Sequence, residues 1–146
     1  TDPDIAPQNP WFPYCSGAEL KKDSPTRDGS IIVVVATDAP LLPHQLHRLA
    51  KRPSLALGRL GAISNPGSGD IFVAFSTGNG GAVNEDAFNT VEQFPNNALN
   101  ALFRGTVEAT EEAIVNAMVA ATTMTGADGL RVQELPHDKV RVLFAE

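Results

Sequence analysis

Apolar and polar positions change rhythm several times along the chain, and each change predicts an element. Ile31-Ile32-Val33-Val34-Val35-Ala36 is an unbroken apolar run, β-branched except at its last residue. A short run that is apolar on both faces predicts a strand buried from both sides. Thr37-Asp38-Ala39-Pro40 reads as a turn. Pro43 suits the first turn of a helix, where a missing N–H loses no bond; that helix is predicted to run to about Arg52, and Pro53 stops it. Leu42, Leu46, Leu49 and Ala50 fall on its apolar face. Leu55 to Leu60 adds apolar residues without a clear period. Ser64 to Gly69 is a tight loop, and Asp70 to Thr77 is a second strand, again apolar on both faces. Gly78-Asn79-Gly80-Gly81 breaks it, and Glu85 to Phe94 fits neither period and leans towards extended chain.

Asn97 to Thr122 predicts a long helix. Leu99, Leu102, Phe103, Val107, Thr110, Ile114, Ala117, Met118 and Ala121 keep three-and-four spacing, which turns Thr106, Glu108, Glu111 and Glu112 outward. Asn96 or Asn97 caps its start, and Gly126 lies beyond its end. Residues 130 to 146 hold a short strand and a short helix from about His137. Strand, helix, strand and long helix together give an α/β layered domain. Two strands buried on both faces demand more cover than so short a chain supplies.

Residues 1 to 29 follow another pattern. Pro3, Pro7, Pro10, Pro13 and Pro25 fall here and no period survives, so the segment reads as loop or extended chain. Trp11-Phe12-Pro13-Tyr14 is too apolar for a free tail and is expected to pack on this domain or on a partner chain. Lys21 to Gly29 is polar and exposed, a good site for a cut. Cys15 is the single cysteine, which excludes an internal disulfide and reads as a small filler.

Charge narrows the function classes. The net charge is -6 and the pI about 5.0, the wrong balance for a nucleic-acid binder. The basic cluster His44, His47, Arg48, Lys51 and Arg52 reads as the last turn of a helix, where cations suit the macrodipole. No apolar run reaches the ~20 residues of a membrane helix, and the start Thr1-Asp2-Pro3-Asp4 lacks the pattern of a secretory signal.

Several residues could carry chemistry. Ser30 stands between Gly29 and the first strand, behind a cleavable linker. If the Gly29–Ser30 bond breaks, Ser30 gains a free α-amine, with a pKa of about 7.7–8.0, that can act as base for its own hydroxyl. Gly29 lets the Ser30 hydroxyl reach the preceding carbonyl. A Gly-Ser pair before a strand is also an ordinary turn. Ser68 and Asp70, two apart in extended chain, would point the same way and place a hydroxyl beside a carboxylate; a Ser or Asx turn gives the same pair. His44 and His47 have helical spacing but no nearby acidic or thiol ligand, so they read as exposed polar residues rather than a metal site. His137 beside Asp138 reads as a helix start; a Ser-His-Asp triad from these parts has no nucleophile-elbow motif behind it. The run Gly78 to Gly81 lacks the lysine of a phosphate loop.

Taken together, three blocks resemble one family. Gly29-Ser30-Ile31-Ile32-Val33-Val34-Val35-Ala36-Thr37-Asp38-Ala39-Pro40-Leu41 resembles the cleavage junction and first strand of the β-peptidyl aminopeptidase and L-aminopeptidase/D-esterase family. Ser68-Gly69-Asp70-Ile71-Phe72-Val73-Ala74-Phe75 resembles its second block, and Glu108 to Ala117 its long-helix block, in the family's order. The resemblance covers about residues 29 to 144.

It implies a four-layer α/β/β/α sandwich with layering like that of N-terminal-nucleophile hydrolases. It implies a precursor that cuts itself before a serine into α and β chains that stay together, commonly as a tetramer of αβ units. It also implies hydrolysis of β-amino acid peptides, small L-amino acid amides or D-amino acid esters through an acyl-enzyme, without metal or organic cofactor. Residues 1–29 would then be linker or α-chain tail, and 30–146 the catalytic β-chain portion. Ser30 would be the nucleophile and Ser68 the serine that orients it. Asp70 stands where the family's glutamate is expected, one methylene short. A tyrosine and an asparagine of the oxyanion site would come from the α chain; no motif assigns Tyr14 or Asn9 to those roles. Because only 29 residues precede Ser30, most of an α portion is expected to be missing. Two other readings stand beside this one. An acyltransferase of similar fold, like ornithine acetyltransferase, would cut before a threonine, and a non-catalytic remnant would keep the fold alone. The location expected is the cytoplasm, with the periplasm as the alternative.

Overall fold

The computed structural model describes residues 29–83, 86–129 and 131–145. The readings of the proline-rich start, of Trp11 and Tyr14 and of Cys15 lie outside the described residues. Two parallel strands, β1 (Ile32–Thr37) and β2 (Ile71–Ser76), form the main sheet. Ile32 pairs with Ile71 and the register holds to Thr37 with Ser76. A crossover of two helices, α1 (Pro43–Ala50) and α2 (Pro53–Arg59), joins them. The long helix α3 (Leu99–Ala120) follows, entered through a short 3-10 turn at Asn96–Ala98. A small antiparallel pair, β3 (Met124–Thr125) and β4 (Arg131–Val132), and helix α4 (His137–Phe144) complete the described chain.

The core lies on one side of the sheet. Leu41, Leu49 and Leu99 are buried there, with Val35, Ala74, Phe94, Leu102 and Phe103 packed around them. Burying each such leucine stabilises the fold by about 1.5–3 kcal/mol. The opposite face carries Ile32, Val34, Ile71, Val73 and Phe75, and it is open: Ile32 is 69% exposed and Phe75 46%. The expectation of strands buried on both faces is therefore met on one face only among the described residues.

Other departures have local causes. The buried stripe around α1 is Leu41, Gln45 and Leu49 rather than Leu42, Leu46 and Leu49. Gln45 is buried because its amide is satisfied. Its Oε1 accepts from Leu42 N–H at 3.1 Å, and its Nε2 donates to the Phe94 carbonyl at 2.8 Å and to Asn96 Oδ1 at 2.9 Å. That use of Asn96 replaces the predicted capping, since neither Asn96 nor Asn97 caps α3 with its side chain. Thr106, predicted to face outward, is buried; its hydroxyl donates to the Leu102 carbonyl at 2.8 Å within the same helix.

The helix α2 falls where no period was legible. Pro53 both stops α1 and occupies the first turn of α2. The end of α2 is a Schellman motif: Ala62 N–H reaches the Leu57 carbonyl and Gly61 N–H the Gly58 carbonyl, with Gly61 at φ 92°, a conformation glycine adopts without strain. Of the basic cluster, only His47 and Arg48 occupy the last turn of α1; His44 sits in its first. The Arg48 and Arg52 guanidiniums stack on Phe103 at 5.2 and 4.0 Å, fastening the crossover to α3. Among the described residues no helix is long and apolar enough to cross a membrane.

Candidate active site

The parallel ladder brings the residues before β1 alongside those before β2. Ile71 N–H donates to the Ile31 carbonyl at 2.9 Å, extending the sheet back towards position 30. One step further out, Ile31 N–H donates to Asp70 Oδ1 at 3.2 Å. Gly69 N–H then donates to Ser30 Oγ at 3.0 Å. Two segments 39 residues apart in sequence thus hold each other through alternating main-chain and side-chain bonds.

A cleft of about 320 Å³ opens here. Ser30, Ser68 and Asp70 all line it, beside Gly29, Leu57, Ile63 and Asn65. The loop after α2 forms its wall, and Ser64 in that loop has left-handed backbone, φ 49°. The three residues singled out in the sequence are therefore gathered, but Ser68 and Asp70 are not bonded to each other. Asp70 Oδ1 instead accepts from the main-chain N–H of Ile31, just ahead of β1, leaving Oδ2 for another partner. The described lining includes none of the histidines, so His44, His47 and His137 stand outside this cleft. His137 opens α4, and Asp138 faces Arg141 at 3.7 Å. Among the described residues no three His, Cys, Asp or Glu side chains gather to hold a metal.

Sequence reasoning missed two features of the site. One is the Gly69 N–H on the serine oxygen, a main-chain group that no residue type announces. The other is α2, which supplies Leu57; its signal was Pro53, the same first-turn proline that marks α1.

The site is thus a serine just ahead of a strand, its hydroxyl oxygen held by a main-chain donor, in a cleft shared with a second serine and a carboxylate on an α/β fold. Residues 12–132 match peptidase family S58, and the chain belongs to that family. It is 53% identical over 118 residues to the beta-peptidyl aminopeptidase BapA of Sphingosinicella microcystinivorans, covering 80% of this chain and 30% of that protein. It is similar in structure to the L-aminopeptidase D-Ala-esterase/amidase of Ochrobactrum anthropi, described as a new variant among the Ntn hydrolase fold. The TM-score there is 0.72 at 45% identity, over 79% of this chain and 33% of that one. The beta-aminopeptidase of a Burkholderia species gives a TM-score of 0.69 at 44% identity, over 80% of this chain and 36% of that one. The chain thus spans about a third of the length of these relatives, and its α/β architecture is part of the same Ntn-type sandwich.

Proposed function

We propose that this chain carries the nucleophile of a serine aminopeptidase that cuts itself before Ser30, with Ser68 and Asp70 as the supporting residues. The observation that carries this reading is Ser30 Oγ, fixed by Gly69 N–H at the mouth of a cleft that Ser68 and Asp70 share. In the cut, Ser30 Oγ adds to the Gly29 carbonyl carbon and the bond from that carbon to the Ser30 nitrogen breaks. The proton from Oγ ends on the departing nitrogen. Water then hydrolyses the resulting ester, leaving a Gly29 carboxylate and a free Ser30 α-amine.

In turnover that amine takes the Oγ proton while Oγ adds to a substrate amide or ester carbonyl. Collapse expels the leaving group with the proton, and water releases the acyl group from Ser30. Asp70, with Oδ1 on Ile31 N–H, offers Oδ2 to Ser68 or to a substrate ammonium. The substrates proposed are small peptides, amides or esters with a free amino end. The partner proposed is the α portion of the same precursor. The open sheet face supports that partner, as does the third of the relatives' length that this chain spans.

The test is intact mass spectrometry of the protein with its α portion, incubated near pH 8. The expected result is a fragment beginning at Ser30 and hydrolysis of a β-alanyl or L-alanyl amide, both abolished by Ser30→Ala. A protein that stays whole and inactive overturns the proposal.

A further inference from the structure

We infer that the main-chain N–H of Gly69 is a catalytic group of this site, a fixed donor that stabilises charge on the nucleophile oxygen itself. The inference rests on the proposed function of Ser30. Gly69 sits two residues ahead of Ile71, the first residue of β2 and the partner of Ile32 in the ladder. Its N–H is given to Ser30 Oγ at 3.0 Å. The neighbouring bonds, Ile31 N–H to Asp70 Oδ1 and Ile71 N–H to the Ile31 carbonyl, hold both segments in register, so the donor is aimed by the sheet rather than by a mobile side chain.

An amide nitrogen donates and does not accept. The Ser30 hydroxyl therefore receives this bond on one lone pair, and its own proton must point elsewhere, free to leave towards a base. As that proton leaves, negative charge grows on Oγ a hydrogen-bond length from a preorganised dipole, which is the arrangement that lowers a barrier without reorganisation. The same donor acts again in deacylation. There the bond from the acyl carbon to Oγ breaks and Oγ takes the electron pair before it regains a proton. One N–H thus serves the self-cut and both halves of turnover, and it differs from any donor aimed at the carbonyl oxygen.

The experiment removes the donor alone. In the protein with its α portion, Gly69 is exchanged for glycolic acid, which turns the amide N–H into an ester oxygen and keeps the absence of a side chain. The same exchange at Thr77, whose N–H donates to the Thr37 carbonyl at 2.9 Å at the far end of the same ladder, removes a bond of equal kind away from the cleft and serves as control. The expected result is a loss of about 100-fold in kcat and in the rate of self-cutting for the change at 69, the scale of one preorganised donor. KM for a small amide should be unchanged, and the control should keep its kcat. Gly69→Ala keeps the N–H but sets a methyl group 3.3 Å from Ser30 Oγ, and should cost less than the ester. Full activity in the ester at 69, or an equal loss in the control at 77, overturns the inference. A wild-type protein that neither cuts nor hydrolyses removes the reading on which it rests.

Discussion

A side chain has no room at position 78. A Cβ there would stand 2.7 and 2.8 Å from the Pro40 nitrogen and Cα, and closer still to the Asp38 carbonyl oxygen. All three are backbone atoms and cannot turn aside. Gly78→Ala is expected to destabilise by about 1–3 kcal/mol, as overpacking does, seen as a lower urea midpoint. Gln45 is the opposite case, a residue whose polar atoms are all used. Gln45→Leu leaves the Leu42 N–H, the Phe94 carbonyl and Asn96 Oδ1 to find other partners inside the fold. Each that stays buried and unbonded costs about 1–3 kcal/mol, so this swap should lower the midpoint more than its gain in apolar surface raises it. At Ser30 the prediction concerns pH. A free α-amine must be neutral to accept the Oγ proton, so kcat/KM is expected to fall as pH drops below about 7.7–8.0. A rate that stays flat from pH 8 to pH 6 would rule out the amine as base.

Among the elements, what was legible followed the strength of the local pattern. The run Ile31 to Ala36 and the stretch Asp70 to Thr77 were read as strands because their β-branched and aromatic residues leave little alternative. The helix Leu99–Ala120 was read because its period persists for many turns. One inward residue was misread: Thr106 was turned outward because it looks polar in sequence, whereas Thr110 was placed on the inward stripe and is buried there. Each hydroxyl donates to the carbonyl four residues earlier, at 2.8 and 2.7 Å, so each threonine is buried at little cost. Thr110→Val is accordingly expected to change stability by no more than about 1 kcal/mol, whereas Leu99→Ala should cost about 2–5 kcal/mol. Thermal denaturation of the two variants side by side checks the order. The helix Pro53–Arg59 escaped because seven residues hold too few apolar positions to set a period.

At the scale of the molecule, the sequence recorded burial on two faces of the sheet, and the described chain provides one. Strand composition reflects the layer a strand ends up in, and a chain spanning about a third of its relatives' length need not contain every layer. Ser30, Ser68 and Asp70 were legible as candidates through their blocks, but their bonding was not. Ser68 and Asp70 share the cleft, while the bond from Ile31 N–H to Asp70 Oδ1 depends on strand register and has no signal in sequence. The open face makes a prediction of its own. Produced alone, the chain should bind a hydrophobic dye strongly and associate at raised concentration. Production together with the proposed α portion should quench that dye signal, and an unchanged signal would mean that the portion covers some other surface.

The parallel pairing of β1 and β2 also sets an order of events. Every bond that reaches Ser30 or Ile31 from Gly69, Asp70 or Ile71 spans about forty positions of chain, because a parallel partner arrives only after a full crossover. A growing polypeptide therefore delivers its serine well before the groups that aim it. The crossover helices must dock and the second strand must slide into register first. If the chain cuts itself as proposed, the sheet is a timer on the cut, and nascent chains halted short of residue 69 should remain whole however long they are held.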